Sequence, residues 1–205
     1  MRKLLLFGAL VCALCSCGSG FGESKKGHEY VDLGLPSGVK WATCNVGAYN
    51  PGDCGDYYSW GATVAKPENI SPSRSSGDIS GNLSYDAAAA SWGGNWRLPT
   101  RSEFQELLDY CTWTWANQDG NDGYKIIGPN GNSIFLPAAG FFLSNLECKG
   151  DICYYWSSTP IGDDAYSLYC GHSANDIKKM YRGNRIFGCC VRPVQGEKKQ
   201  TGRGH

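Results

Sequence analysis

The chain has 205 residues, with 19 lysines and arginines against 19 aspartates and glutamates, 3 histidines, 28 glycines and 11 cysteines. Zero formal charge and a pI near 6.8 exclude the basic excess by which nucleic-acid proteins hold phosphate. Aromatic content of 13% beside 19% charged residues excludes a solvated polyelectrolyte. The length suits one domain, and the cysteine count suits an oxidising compartment better than a cytosol.

Arg2 and Lys3 precede an apolar run over residues 4–14. The run is shorter than the roughly 20 residues a spanning helix needs and reads as a signal-peptide core. It ends in Leu14-Cys15-Ser16-Cys17-Gly18, which resembles a bacterial lipobox. Residues 1–16 are therefore expected to be removed and Cys17 to carry lipid. Several acyl chains, each buried methylene adding about 0.8 kcal/mol, make such an anchor stable. Residues 17–28 then form a glycine-rich tether, residues 29–195 the folded domain, and residues 196–205 a polar, disordered tail. Cys12 and Cys15 leave with the signal, so eight cysteines belong to the domain. Loss of Arg2 and Lys3 leaves 17 basic against 19 acidic residues, a net charge of −2.

Residues 30–35 alternate, with Val31, Leu33 and Leu35 on one side; Pro36-Ser37-Gly38 turns the chain, and residues 39–45 alternate again. This is a strand pair. Residues 47–55 read as loop, and the aromatic residues 57–62 as a short strand. Residues 63–82 are polar and aperiodic, a loop long enough to be functional or disordered. Residues 84–92, with four consecutive alanines, predict a helix from Ser84 as cap to Gly93 as terminator. Thr100 stands three before Glu103, a capping box, and Phe104, Leu107, Leu108 and Cys111 form one apolar stripe behind it. Residues 123–127 and 133–136 flank Pro129-Asn130-Gly131-Asn132, a hairpin signal. Residues 153–158, 165–170 and 186–194 are further expected strands. Strands, two helices and more strands predict an α+β domain.

Several segments together resemble the Fibrobacter succinogenes major paralogous domain, FISUMP. They are the opening run from Tyr30-Val31-Asp32-Leu33-Gly34-Leu35 to Asn45-Val46-Gly47-Ala48, Trp96-Arg97-Leu98-Pro99-Thr100, and Cys111-Thr112-Trp113-Thr114-Trp115. Gly131 to Gly140, Tyr155-Trp156-Ser157-Ser158 and Val191-Arg192-Pro193-Val194 complete the set. The resemblance implies a C-type lectin-like fold: two short helices on small antiparallel sheets with long loops. It also implies a bacterial envelope lipoprotein. It implies little about activity, because fold analogy is a weak warrant for function. Cys44 and Cys111 stand where the family usually has cysteines; Cys54, Cys148, Cys153, Cys170, Cys189 and Cys190 are additions.

Eight thiols allow 105 pairings. The expected bridges are Cys44–Cys111, tying the first strands to the capped helix, and Cys148–Cys153, closing a short loop. Cys170–Cys189 is a third, if Leu168 and Val191 both face the core. Cys54 and Cys190 stay unassigned. Each bridge would add roughly 2–4 kcal/mol, so the domain is expected to be disulfide-braced. Cys170, His172, Cys189 and Cys190 are zinc-binding types, but adjacent cysteines on a strand diverge, and no metal or cofactor is expected. The formylglycine-generating enzymes, a related superfamily, use a copper site of two cysteines, for which only the adjacent Cys189 and Cys190 are available. His172 has no nucleophile-elbow pattern with it, and no phosphate-binding glycine loop is present. The turn at Asp119-Gly120-Asn121-Asp122-Gly123 lacks the full spacing of a calcium loop.

Trp92, Trp96 and Trp156 lie in the family-like motifs and read as core. Trp113, Trp115 and Tyr154 are the candidate ligand-binding aromatics, and the loops at 63–82, 143–153 and 171–177 the candidate surfaces. The resulting expectation is a non-enzymatic, outer-membrane lipoprotein. It would be held to the membrane by its lipid and would present a module that binds carbohydrate or protein, with no nucleic-acid partner. A formylglycine-generating-type oxidase and a purely structural envelope component are the alternatives. Polar groups in a deep pocket would favour the enzyme, and a shallow, aromatic-floored surface would favour binding.

Overall fold

Strand pairing organises most of this chain. The computed structural model describes residues 21–23, 27–66, 71–172 and 177–197. The expected signal peptide, Cys17 and the end of the tail lie outside the described residues. Within the segment read as tether, β1 (Phe21–Glu23) pairs with β2 (Glu29–Asp32). β3 (Lys40–Ala42) follows β2 across the predicted turn, closed by Gly38 N–H donating to Leu35 O at 2.9 Å.

Helix α1 (Ala87–Trp92) is only 6 residues long. Its cap is Asp86, not Ser84. One Asp86 carboxylate oxygen accepts from Ala88 and Ala89 N–H at 2.9 and 3.1 Å, and the other accepts from Gly81 and Leu98 N–H at 2.7 and 2.8 Å. A carboxylate satisfies more backbone donors than a hydroxyl, which decides the cap. After β4 (Trp96–Arg97) comes α2 (Arg101–Tyr110), opened by the predicted capping box. Glu103 serves twice there. It accepts from Thr100 N–H at 2.7 Å and holds the Arg97 guanidinium at 2.6 and 2.9 Å, both side chains buried.

β5 (Thr112–Gln118), β6 (Asn121–Ile127) and β7 (Ser133–Pro137) form an antiparallel sheet, the last two through the predicted hairpin. β8 (Phe141–Phe142) and β9 (Leu146–Glu147) make a small ribbon. β10 (Ile152–Ile161), β11 (Asp164–Gly171) and β12 (Lys178–Gly183) form the third sheet. β13 (Val194–Gln195) inserts between β3 and β4, joining the end of the domain to its beginning.

The β10–β12 sheet separates two hydrophobic cores. Cys153, Tyr155, Leu168 and Cys170 face the first, with Trp41, Phe104 and Leu107; Tyr154, Trp156 and Ala165 face the second, with Trp60, Trp92 and Trp96. This explains the unbroken apolar run of β10, since a strand covered on both faces does not alternate. α2 packs across all three strands. The loop at 63–82 is pinned where described: Ser73 N–H donates to Trp60 O at 2.9 Å, and Ile79 N–H to Ser158 O at 3.1 Å.

The α+β, C-type lectin-like, disulfide-braced expectation is corrected on two counts. First, the architecture is small antiparallel sheets, and its two short helices make no layer of their own. Second, Cys44, Cys54, Cys111, Cys148, Cys153, Cys170, Cys189 and Cys190 are all free thiols. Cys170 lies opposite Cys153, not Cys189, across β10 and β11, while Cys189 and Cys190 enter different cores. Buried arginines do the tying instead. Arg192 donates to Asn45 Oδ1 (2.8 Å) and to the carbonyls of Ala42 (3.0 Å), Thr43 (2.6 Å) and Phe135 (2.9 Å). Arg185 lies over the Trp60 ring at 4.1 Å and donates to the carbonyls of Ser73, Ser75, Gly162 and Asp164 at 2.8–3.0 Å.

Candidate functional site

Register places one aromatic row on the second-core side of the β10–β12 sheet, running from that core out to solvent. Tyr154 pairs with Tyr169, and Tyr169 with Lys179. In the next row Trp156 pairs with Ser167, and Ser167 with Tyr181. Paired residues share a face, so Tyr154, Tyr169, Lys179 and Tyr181 project together. The Tyr154 ring meets Tyr169 edge-on at 5.2 Å and Tyr181 at 6.0 Å, and Tyr169 and Tyr181 are 6.1 Å apart. Phe141 of β8 extends the row at 5.4 Å from Tyr154, and Phe187 adds a ring at 5.3 Å from Phe141.

The row is graded in depth. Tyr154 is its buried floor, Tyr169, Phe141 and Phe187 are half-buried, and Tyr181 is 40% exposed. At the other end Trp156 is closed over, its indole N–H donating to Tyr58 O at 2.8 Å. Burial, with smaller contributions from Tyr181 and other neighbours, pushes the Tyr154 phenol well above its ordinary range. Tyr154 is therefore a neutral phenol at physiological pH. Lys179 supplies the cation, its ammonium 5.6 Å from the Tyr181 centroid and 5.9 Å from that of Tyr169. Neutral rings with one flanking ammonium stack against flat, hydroxylated ligands and accept hydrogen bonds at the rim.

Of the three predicted aromatics, the structure puts only Tyr154 on this face. Trp113 is packing: its indole N–H donates to Leu107 O at 2.9 Å, near the end of α2, and its ring meets Tyr124 edge-on at 5.6 Å. Trp115 also packs on Tyr124, at 4.9 Å, and lies flat against the exposed His172 ring, 4.2 Å away with planes 4° apart. Sequence reasoning missed Tyr169, Tyr181, Phe141 and Phe187. The signal available was period-two spacing, Ser167 to Tyr169 and Lys179 to Tyr181, once β12 is recognised as a strand. Of the candidate loops, 143–153 carries β9 and runs into β10 beside Tyr154. Residues 173–176 of the loop at 171–177 lie outside the described residues.

Among the described residues, no group of three or more His, Cys, Asp and Glu side chains is placed to hold a metal ion. In the turn at 119–123, which lacks calcium-loop spacing, Asp119 Oδ2 accepts from Gly52 N–H at 3.1 Å. Comparison with protein-family models, with curated proteins and with solved structures returned no match.

Proposed function

We propose that the chain is a lipid-anchored bacterial envelope protein, without catalytic activity, whose aromatic sheet face binds carbohydrate. The single observation that carries the reading is the graded row Tyr154–Tyr169–Tyr181, floored at one end and open at the other. Its shape is that of a surface on which a sugar ring stacks, not of an enclosed reaction chamber. The lipobox-like Leu14-Cys15-Ser16-Cys17 supports the anchor and an outer-membrane address. The run of FISUMP-like segments supports the same envelope setting.

The test is a glycan array probed with the full-length protein and with the Tyr169→Ala/Tyr181→Ala variant. Tyr181 is exposed, while Tyr169 is half-buried against the second core, so an unchanged urea midpoint is required of the variant before its binding is read. The expected result is binding to a defined group of saccharides, weakened about tenfold or more when two stacking rings are removed. A blank array, or binding indifferent to both tyrosines, refutes the assignment. The anchor is tested separately: Cys17→Ala should release the protein from the membrane fraction, and retention there refutes lipidation at Cys17.

A further inference from the structure

The sheet edges of this chain are built in different ways. β12 carries Lys178, Lys179 and Arg182, charges that discourage a further strand from pairing there. β7 is covered by side chains: Phe135 O accepts from the Arg192 guanidinium and Pro137 O from the Tyr155 hydroxyl, both at 2.9 Å. β5, at the other edge of the β7 sheet, has neither device. It pairs with β6 alone, and its sequence Thr-Trp-Thr-Trp-Ala-Asn-Gln holds no charge and no proline.

The turn that follows β5 decides which main-chain groups the strand offers. It consists of Asp119 and Gly120, with φ of 53° and 82°, the type I′ geometry of a tight hairpin. Such a turn makes Gln118 and Asn121 a hydrogen-bonded pair, and the pattern alternates from there. Gln118, Ala116, Thr114 and Thr112 therefore bond to β6, while Trp113, Trp115 and Asn117 point N–H and C=O away from it. Among the described residues, no hydrogen bond meets these outward groups. The side chains leave the edge open as well. The Asn117 amide is drawn back onto β6, donating to Asp122 Oδ1 at 2.8 Å, and both indoles rest on Tyr124.

We propose that two copies of the chain pair antiparallel through β5, with Trp115 opposite the partner's Trp115 and Trp113 opposite the partner's Asn117. In that register every outward N–H meets an outward C=O. A foreign peptide added to a sheet edge is selected by pockets for its alternate side chains, and indoles folded onto Tyr124 do not wall such pockets. A second copy needs none. Self-pairing sets like against like, so a charge on β5 would face itself, and β5 has no charge. The charges of β6, Asp122 and Lys125, pair with Asn117 and Thr114. Across the joint each lies three strand spacings from β6 of the other copy, about 14 Å, beyond the Debye length of about 8 Å. The two sheets then run on as one, related by a two-fold axis. This joint lies on a different sheet from the tyrosine row and does not depend on what that row binds.

The experiment uses the full chain in uncharged detergent micelles, as wild type and as Thr114→Glu. Thr114 is exposed and pairs with Lys125, so glutamate suits the single copy, and an unchanged urea midpoint confirms its fold. In the pair it sets one carboxylate from each copy beside the joint. Sedimentation across the micromolar range should show wild type passing from monomer to dimer, with Thr114→Glu weakening the dimer about tenfold. Amide exchange followed by NMR supplies a readout that needs no variant. As concentration rises, the amides of Trp113, Trp115 and Asn117 should slow about tenfold or more, while those of Thr112 and Thr114, already bonded to β6, change little. The proposal is overturned if wild type stays monomeric, or if it dimerises with those three amides exchanging as in the monomer, as two copies sharing a micelle would. It is also overturned if Thr114→Glu leaves the dissociation constant within twofold, or if an unrelated neutral peptide protects the three amides when a second copy does not.

Discussion

Replacing Arg192 with methionine perturbs the point where the two ends of the domain meet. The side chain is fully buried, and burial lowers the proton affinity of its guanidinium despite the nearby Tyr155 phenol. Among the described residues it has no carboxylate partner. It donates to the Asn45 amide oxygen and to three main-chain carbonyls, which substitution at 192 leaves in place. Exchanging a whole ion pair for apolar residues can be neutral, but stranding buried acceptors is not. Each stranded acceptor costs about 1–3 kcal/mol, reduced where water enters or the carbonyl finds another donor. A loss of about 3–5 kcal/mol is therefore expected, against a typical domain stability of about 5–15 kcal/mol. Arg192→Lys should recover little, because an ammonium offers three donors around one atom and cannot span β3 and β7 as a planar fork does. Urea unfolding followed by tryptophan fluorescence measures this, with the slope m unchanged if only stability moves. A loss below about 1 kcal/mol for the methionine variant refutes the account of Arg192 as the tie.

The thiols make a pH prediction. Burial raises the pKa of Cys153, Cys189 and Cys190 well above the ordinary 9.0. Above pH 9 the unfolded chain releases these protons while the folded chain keeps them, so stability is full below pH 9 and falls as pH rises. Three such groups lose roughly 3 kcal/mol of stability between pH 9 and 10, and Cys54 and Cys111, also raised by burial, add to the fall. Cys189→Ala should remove roughly 1 kcal/mol of that fall, and urea midpoints that stay flat from pH 8 to 10 refute it. Alkylation of the native protein should label Cys148 first, since Cys148 is exposed and Cys153, Cys170, Cys189 and Cys190 are buried. All eight domain cysteines should react in denaturant without reductant, and mass spectrometry finding two or more bridged pairs refutes the free-thiol structure.

How much of the fold can be read from the sequence depends on whether a signal is local. Thr100 and Glu103 carry their geometry within one turn of helix, and the capping box forms as read. Pro129-Asn130-Gly131-Asn132 likewise encodes its own reversal. Residues 186–194, read as a strand, fail because successive residues serve different partners. Cys189 bridges to Tyr58, Cys190 to Tyr155 and Gly188 to Phe142, so no continuous ladder develops. β12 escapes notice for the opposite reason. Lys178, Lys179 and Arg182 make it polar, and Met180 is its one apolar side chain packed against the first core. The cysteines mislead because residue type does not reveal neighbours. Arg97 and Arg192 lie within family-like segments, yet nothing local says that these arginines, and not sulfur, fasten the loops.

The tyrosine face is less legible than the cores, and register is the reason. Its rings come from β8, β10, β11, β12 and residue 187, and only strand alignment brings them together. Tyr154, Tyr155 and Trp156 are contiguous, so sequence alone requires that they split between faces without saying which way. The pairing of Tyr155 with Leu168 and of Leu168 with Met180 resolves it. Those three pack in the first core, which sends Tyr154, Tyr169 and Tyr181 to the opposite face, where Tyr154 joins the second core and Tyr181 reaches solvent. A slip of one residue in β11 would exchange Leu168 for Tyr169 on the core side and dismantle core and binding face together. The apolar demand of the first core therefore selects the register that exposes the tyrosines. The platform follows from the packing of the face opposite to it, and substitutions at Leu168 should weaken ligand binding through register without touching the ligand.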